Sequence, residues 1–170
     1  SVSTILVSTH CVMERQMDNL DIWNRVEQSD PKFLKQVSFG SRSFTAIDPM
    51  YQIRSATAEF GPIGKGWGWI NQTRFIDLSN GDKAVVADVQ VWHGELINAF
   101  GPFTGCRKFF DAAKGRLAED APKMAVTDGL TKALSHLGFN ADVFLGKMDG
   151  NKYAVDSGSK KDFITAGNSW

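Results

Sequence analysis

The stretch that decides the fold is "WGWINQTRFIDLSNGDKAVVADVQVW", Trp67 to Trp92. In "KAVVADVQVW" the side chains alternate, with Val85, Ala87, Val89 and Val91 at every second position. Successive side chains of an extended chain point to opposite faces, so these four share one side of a strand. "WGWINQTRFIDL" reads as the strand before it, and "SNGD" between them holds Asn80-Gly81, a strong hairpin signal. "HGE" turns the chain again and "LINAFGPFTG" returns. Three consecutive strands joined by tight turns predict an antiparallel β-meander.

Helices flank this meander. Upstream, "IDPMYQIRSATAEFG" is well punctuated: Asp48 suits the N-cap, Pro49 the first helical position and Gly61 the stop. Ile53, Ala56 and Phe60 fall on one face of it. Further upstream, Leu20, Trp23 and Val26 mark a short helix that ends at Asp30-Pro31. "PKFLKQVSFGSRSFTA" is basic and serine-rich and reads as loop with a short strand. "GPIGKGWGW" has four glycines in nine residues but no preceding strand, so it does not match a dinucleotide-binding loop. Downstream, "CRKFFDAAKGRLAED" reads either as a helix broken at Gly115 or as an excursion carrying Phe109 and Phe110.

"KMAVTDGLTKALSHLGF", Lys123 to Phe139, is an amphipathic helix. Val126, Leu130, Ala133 and Leu137 make its apolar face, and Thr127, Asp128, Thr131, Lys132 and Ser135 the polar one. Gly129 sits in its middle, at a cost of about 1 kcal/mol relative to alanine. Close approach to the sheet or a neighbouring subunit is the favoured reason, and close passage of a bound ligand's backbone the other. The fold class is α+β: a β-β-β-α core with helices on one face of an antiparallel sheet.

At 170 residues, with 42 % hydrophobic and 22 % charged, the chain has the balance of one globular domain with a real core. No apolar run reaches the ~18 residues of a membrane span. "SVSTILVSTHCVMERQM" has an apolar patch without a basic n-region and is not read as a signal peptide. Residues 1–17 are expected to form a flexible extension, 18–155 the domain and 156–170 a polar tail. Cys11 and Cys106 make neither a disulfide framework nor a zinc set, which fits a reducing cytoplasmic setting.

Catalytic constellations are not found. His10, His93 and His136 lack metal-ligand spacing, and no nucleophile elbow occurs. Asp77, Asp82 and Asp88 surround a hairpin, but no acid-x-Lys pattern supports a Mg²⁺ nuclease, and Asp82 suits ordinary turn chemistry. No cofactor or metal is expected. Net charge is zero, but unevenly spread. From Lys32 to Arg74 there are six bases (Lys32, Lys35, Arg42, Arg54, Lys65, Arg74) against two acids, interleaved with aromatic rings. That mixture suits single-stranded nucleic acid, where cations follow phosphates and rings stack on bases. A core role for the rings is the competing reading.

Three stretches together resemble the Rad-fifty-two-like single-strand annealing proteins. "YQIRSATAEFGPIGKGWGW" is similar to that family's helix, Phe-Gly and Gly-Trp signature. "KMAVTDGLTKALSHLGF" resembles its Ala-Val-Thr-Asp-Gly-Leu helix, and "FLGKMDGNKY" its short Asp, Lys-Tyr segment. The resemblance spans about residues 45–155 and the last helix is its most specific part. It implies a homo-oligomeric ring or helical filament that holds single-stranded DNA in a positive groove. It also implies ATP-independent annealing of complementary strands in recombination and repair, typically of bacteriophages. A phage exonuclease or single-strand-binding protein is the kind of partner it implies, with no membrane. The setting is then the host cytoplasm.

The resemblance carries over unevenly. Where the family has two adjacent bases in the last helix, this chain has Thr131 and Lys132, and a further family arginine falls at Ser135. A family arginine near the start of the Asp48-Pro49 helix falls at Tyr51, with Arg54 one turn on. Ile63 stands nearest the family's loop aromatic, and Lys65 follows two residues later. The implied DNA contacts are Lys132 and Arg54, then Lys65 and Arg74. Lys35, Arg42, Arg107 and Lys108 are candidates for a second strand path. Tyr51 and Trp67 are candidates for stacking, with sheet core the favoured reading for at least one of Trp67 and Trp69, since alternate residues of a strand share a face. Lys132 also stands four residues from Asp128, the spacing of a helical ion pair. The alternative from another class is a monomeric α+β RNA- or DNA-binding module without annealing activity.

Overall fold

The structure, a computed structural model, describes residues 18–40 and 42–145. The expected N-terminal extension, the "KMDGNKY" part of the domain and the polar tail lie outside the described residues.

The meander forms as the alternation predicts. β3 (Trp67–Asp77) pairs antiparallel with β4 (Lys83–His93) in unbroken register, from Trp67 opposite His93 to Asp77 opposite Lys83. Gly81 takes φ 84° in the connecting loop, a left-handed conformation that glycine adopts without Cβ strain. β5 (Phe100–Asp111) returns along β4, and the two-residue β6 (Arg116–Leu117) completes the order β3-β4-β5-β6. The ambiguous "CRKFFDAAKGRLAED" is therefore strand, turn and strand. Phe109 meets Phe75 of β3 with ring centroids 4.8 Å apart, a contact that an extended chain supplies across the sheet.

The loop is stapled to the next turn. Asp82 is buried and accepts hydrogen bonds from Asn80 Nδ2 at 3.1 Å and from the Ala112 backbone N–H at 2.8 Å. Lys108 Nζ lies 2.6 Å from the same carboxylate. Lys108 and the Ala112 amide hold the Asp82 carboxyl below the usual carboxylate range, and Asp82 in turn raises the Lys108 ammonium.

α3 (Ala121–His136) lies across β4 and β5. Val85, Ala87, Val89 and Val91 have no exposed surface and meet Ala121, Ala125, Leu130, Ala133 and Leu134. Full burial of each valine is worth about 1.5–3 kcal/mol. Two glycines permit this distance. A Cβ on Gly105 of β5 would stand 1.9 Å from the Ala125 carbonyl oxygen. A Cβ on Gly129 would stand 2.6 Å from Val89 Cγ2 and 2.9 Å from the Phe103 carbonyl oxygen. Close approach to the sheet is thus the use of Gly129 within the chain.

α2 (Pro49–Phe60) carries the expected caps. Asp48 Oδ1 accepts from the Met50 N–H at 2.8 Å, and Gly61 ends the helix at φ 99°. Ala56 is fully buried, with Ile53 and Phe60 packed beside it. The basic segment before α2 is more regular than expected. β1 (Leu34–Phe39) and β2 (Arg42–Ile47) form a two-stranded antiparallel ribbon, paired from Leu34↔Ile47 to Phe39↔Arg42. Most of β1 is exposed, so serines and charges replace the apolar alternation that signals a half-buried strand.

α1 (Asp21–Val26) docks on the end of α3. A Cβ on Gly138 would come within 2.7 Å of the Trp23 ring, so that glycine admits the indole. Asp142 accepts from the Ser29 N–H and hydroxyl at 2.8 and 2.6 Å, tying this end to the short α4 (Ala141–Phe144). Arg25 bridges Asp21 and Glu59, and Glu59 first, then Asp21, push its guanidinium pKa further up. Among the described residues no helix is long and apolar enough to cross a membrane.

Candidate nucleic-acid interface

The polar face of α3 floors a trough. Thr127, Asp128, Thr131, Lys132 and Ser135 recur at the steps that share one side of a helix. The opposite side is consumed by the sheet. Two cavities, about 600 and 700 Å³, open along this face and share Asp128, Thr131 and Phe144. At the C-terminal end of α3 the first is walled by Trp23, Lys132 and His136. Towards its N-terminal end the second is walled by β2 from Phe44 to Ile47, by the start of α2, and by Arg107 and Lys123. Among the described lining residues Lys132, Arg107 and Lys123 stand against the acid Asp128, and Lys123 is itself paired with Asp120 at 3.2 Å.

Asp128 organises two of these cations. Lys132 Nζ donates to Asp128 Oδ2 at 3.0 Å, the i,i+4 pair expected from spacing, and to the Thr104 carbonyl oxygen at 2.8 Å. An ammonium has three donors, so among the described residues one remains. The side chain is 49 % exposed, which leaves that donor open to the trough. Arg107 Nη1 stands 3.6 Å from the same carboxylate. The arrangement brings the Lys132 and Arg107 charges together at one edge of β5, with a single negative charge between them. Two cations beside one carboxylate leave a local surplus of positive charge and N–H donors, which is the chemistry that can receive an anion.

The other candidate contacts are placed elsewhere. Tyr51 stacks on Phe33 with ring centroids 4.5 Å apart, its hydroxyl accepting from the Asp30 N–H at 3.0 Å. The Arg54 guanidinium sits 5.9 Å over the same Phe33 ring, one turn on along α2. Lys65 is exposed in the turn between α2 and β3, and Lys35 is exposed on β1. Arg42 opens β2, and its side chain lies outside the described set. Arg74 stands opposite Val86, and Lys108 opposite Ala84, on the sheet face turned away from α3. Arg74 is paired there with Asp88. Of the two readings of Trp67 the core one holds: it is fully buried and donates from Nε1 to Thr57 Oγ1 at 3.3 Å, so it is not a stacking platform.

Lys123 is absent from the basic candidates named from sequence, although the helical period places it one turn before Thr127 on the polar face. Gln52 of α2 is absent too. It lines the larger cavity with only 1 % of its surface exposed. A glutamine on a helix carries no signal of this kind until the neighbouring elements are placed.

The three carboxylates around the β3–β4 hairpin are engaged separately. Asp77 Oδ1 accepts from Lys83 Nζ at 2.5 Å, Asp82 takes Lys108, and Asp88 takes Arg74 and the Thr104 hydroxyl. Thr104 and Arg74 hold the Asp88 carboxyl below its ordinary range. Among the described residues no group of three histidines, cysteines or carboxylates comes together as a cation site.

No family model matches the chain, and no curated protein matches it.

Proposed function

We propose that this protein binds single-stranded DNA along the polar face of α3 and anneals complementary strands without ATP. The observation that carries the reading is the trough itself. Two adjoining cavities run along one helix, and Lys132 and Arg107 meet there beside one acid. The motif resemblance of the same helix supports it independently. Binding the phosphates and leaving most bases unread is what annealing needs, because bases must stay free to pair. A homo-oligomeric ring or filament would join such troughs into a longer path. Partner exonucleases or single-strand-binding proteins, recombination and a cytoplasmic site belong to the same proposal.

The test is equilibrium binding of a mixed-sequence single strand across a salt series. Lys132→Ala and Arg107→Ala are each expected to weaken binding and to lower the salt slope by about 0.7 for each phosphate no longer neutralised. Arg74→Ala, on the opposite sheet face, is expected to leave both nearly unchanged. Equal losses at all three positions would move the path off α3. Monomeric protein that binds duplex or structured RNA in preference would favour the module without annealing activity.

A further inference from the structure

Gln52 projects from α2 at the wall of the larger cavity. It is 1 % exposed, and among the described residues neither Nε2 nor Oε1 has a hydrogen-bond partner. An amide buried without partners destabilises a fold, and such groups are rare in native structures. A methionine or leucine would fill the same helical position without that penalty. The cavity beside it is about 700 Å³, within the range of small-molecule sites, and Phe44, Ile53, Met50 and Met124 give it apolar walls. Met50 and Met124 are exposed, unbranched side chains that move at little cost. Arg107 and Lys123 lie on the same lining.

We propose that this cavity takes one nucleobase of the bound single strand, and that Gln52 meets its edge. This rests on the proposed groove. An amide presents one donor beside one acceptor, and the edge of every nucleobase offers a complementary neighbouring pair. The apolar walls receive the flat faces of the ring, while Arg107 and Lys123 hold the flanking phosphates. Methionine displacement at the wall admits the base to the amide. Recognition is of a base as such and not of a sequence. One base is held per protomer, which fixes the strand against sliding while its neighbours remain free to pair.

The probes are a homopolymeric deoxyadenosine strand and a strand of the same length with an abasic backbone, titrated at one salt concentration. Wild-type protein is expected to bind the base-bearing strand at least about fivefold tighter. Gln52→Met is expected to keep the abasic affinity, lose that preference and unfold at the same or a higher temperature. A preference that survives Gln52→Met overturns the assignment, as does a lower unfolding temperature, which would show the amide already satisfied. Equal binding of both strands by wild type overturns the base site and leaves the groove standing. Binding of neither strand removes the groove reading itself.

Discussion

Alanine at Gly105 and at Gly129 separates two kinds of close contact between α3 and the sheet. At Gly105 the added Cβ would lie 1.9 Å from a helix carbonyl oxygen and 2.8 Å from the Gly129 backbone nitrogen. Backbone cannot rotate out of the way, so the whole helix must lift from β5. Overpacking of this kind costs typically 1–3 kcal/mol and sometimes more, and Gly105→Ala belongs at or above about 3 kcal/mol. At Gly129 the nearest atom is a valine methyl at 2.6 Å, with the Phe103 carbonyl oxygen at 2.9 Å. The same overpacking range applies, but alanine returns about 1 kcal/mol of helix propensity. The net cost of Gly129→Ala is then about 0–2 kcal/mol. For a chain of this size each kcal/mol moves the unfolding midpoint by about 2–4 °C. Thermal unfolding should rank wild type, then Gly129→Ala, then Gly105→Ala, the last lower by about 6–12 °C. A Gly105→Ala protein as stable as wild type would refute the direct backbone contact.

Trp67→Ala should cost about 3–5 kcal/mol in denaturant unfolding, because the indole is fully buried, and a cost near zero would return Trp67 to the surface. The Asp82 carboxyl is held below its unfolded value of about 3.9, so its contribution is present above that pH and is lost as pH falls through the folded value. Asp82→Asn should therefore flatten the loss of stability below about pH 4, and an unchanged acid profile would show that the Asp82 staple is not what titrates. Lys108 runs the other way: its raised pKa stabilises below the unfolded value of about 10.4, and that part is lost as pH rises through the folded one. Lys108→Met should shift the Asp82 carboxyl upward in a carbon-detected NMR titration, and an unmoved carboxyl would show that Lys108 is not its main partner.

What is legible in the sequence follows from how local its causes are. The caps of α2 are written in three residues, Asp48, Pro49 and Gly61, and the structure uses each as expected. The valine alternation of β4 marks a strand buried against a helix, and all four marked positions are fully buried. Gly129 marks either close packing or the passage of a ligand backbone, and only the placed Val89 and Phe103 show the packing. The β1–β2 ribbon is not legible as such, because an exposed two-stranded ribbon needs no apolar alternation. The second half of β5 is ambiguous because Phe109 finds its partner, Phe75, only across the sheet. The basic residues are the hardest to place. Arg74 and Arg107 are both strand arginines, yet pairing opposite Val86 or Val85 sends them to opposite faces. A one-residue difference in phase decides which of them reaches the trough.

Strand annealing by a protein that holds DNA along α3, as proposed above, is read out by the rate at which two complementary, fluorescently paired single strands anneal without nucleotide at low salt. Wild type and Arg74→Ala are expected to accelerate annealing over the spontaneous rate, and a Lys132→Ala, Arg107→Ala double variant with intact unfolding behaviour is not. Folded wild-type protein that leaves the rate at its spontaneous value, or a double variant as fast as wild type, would contradict it.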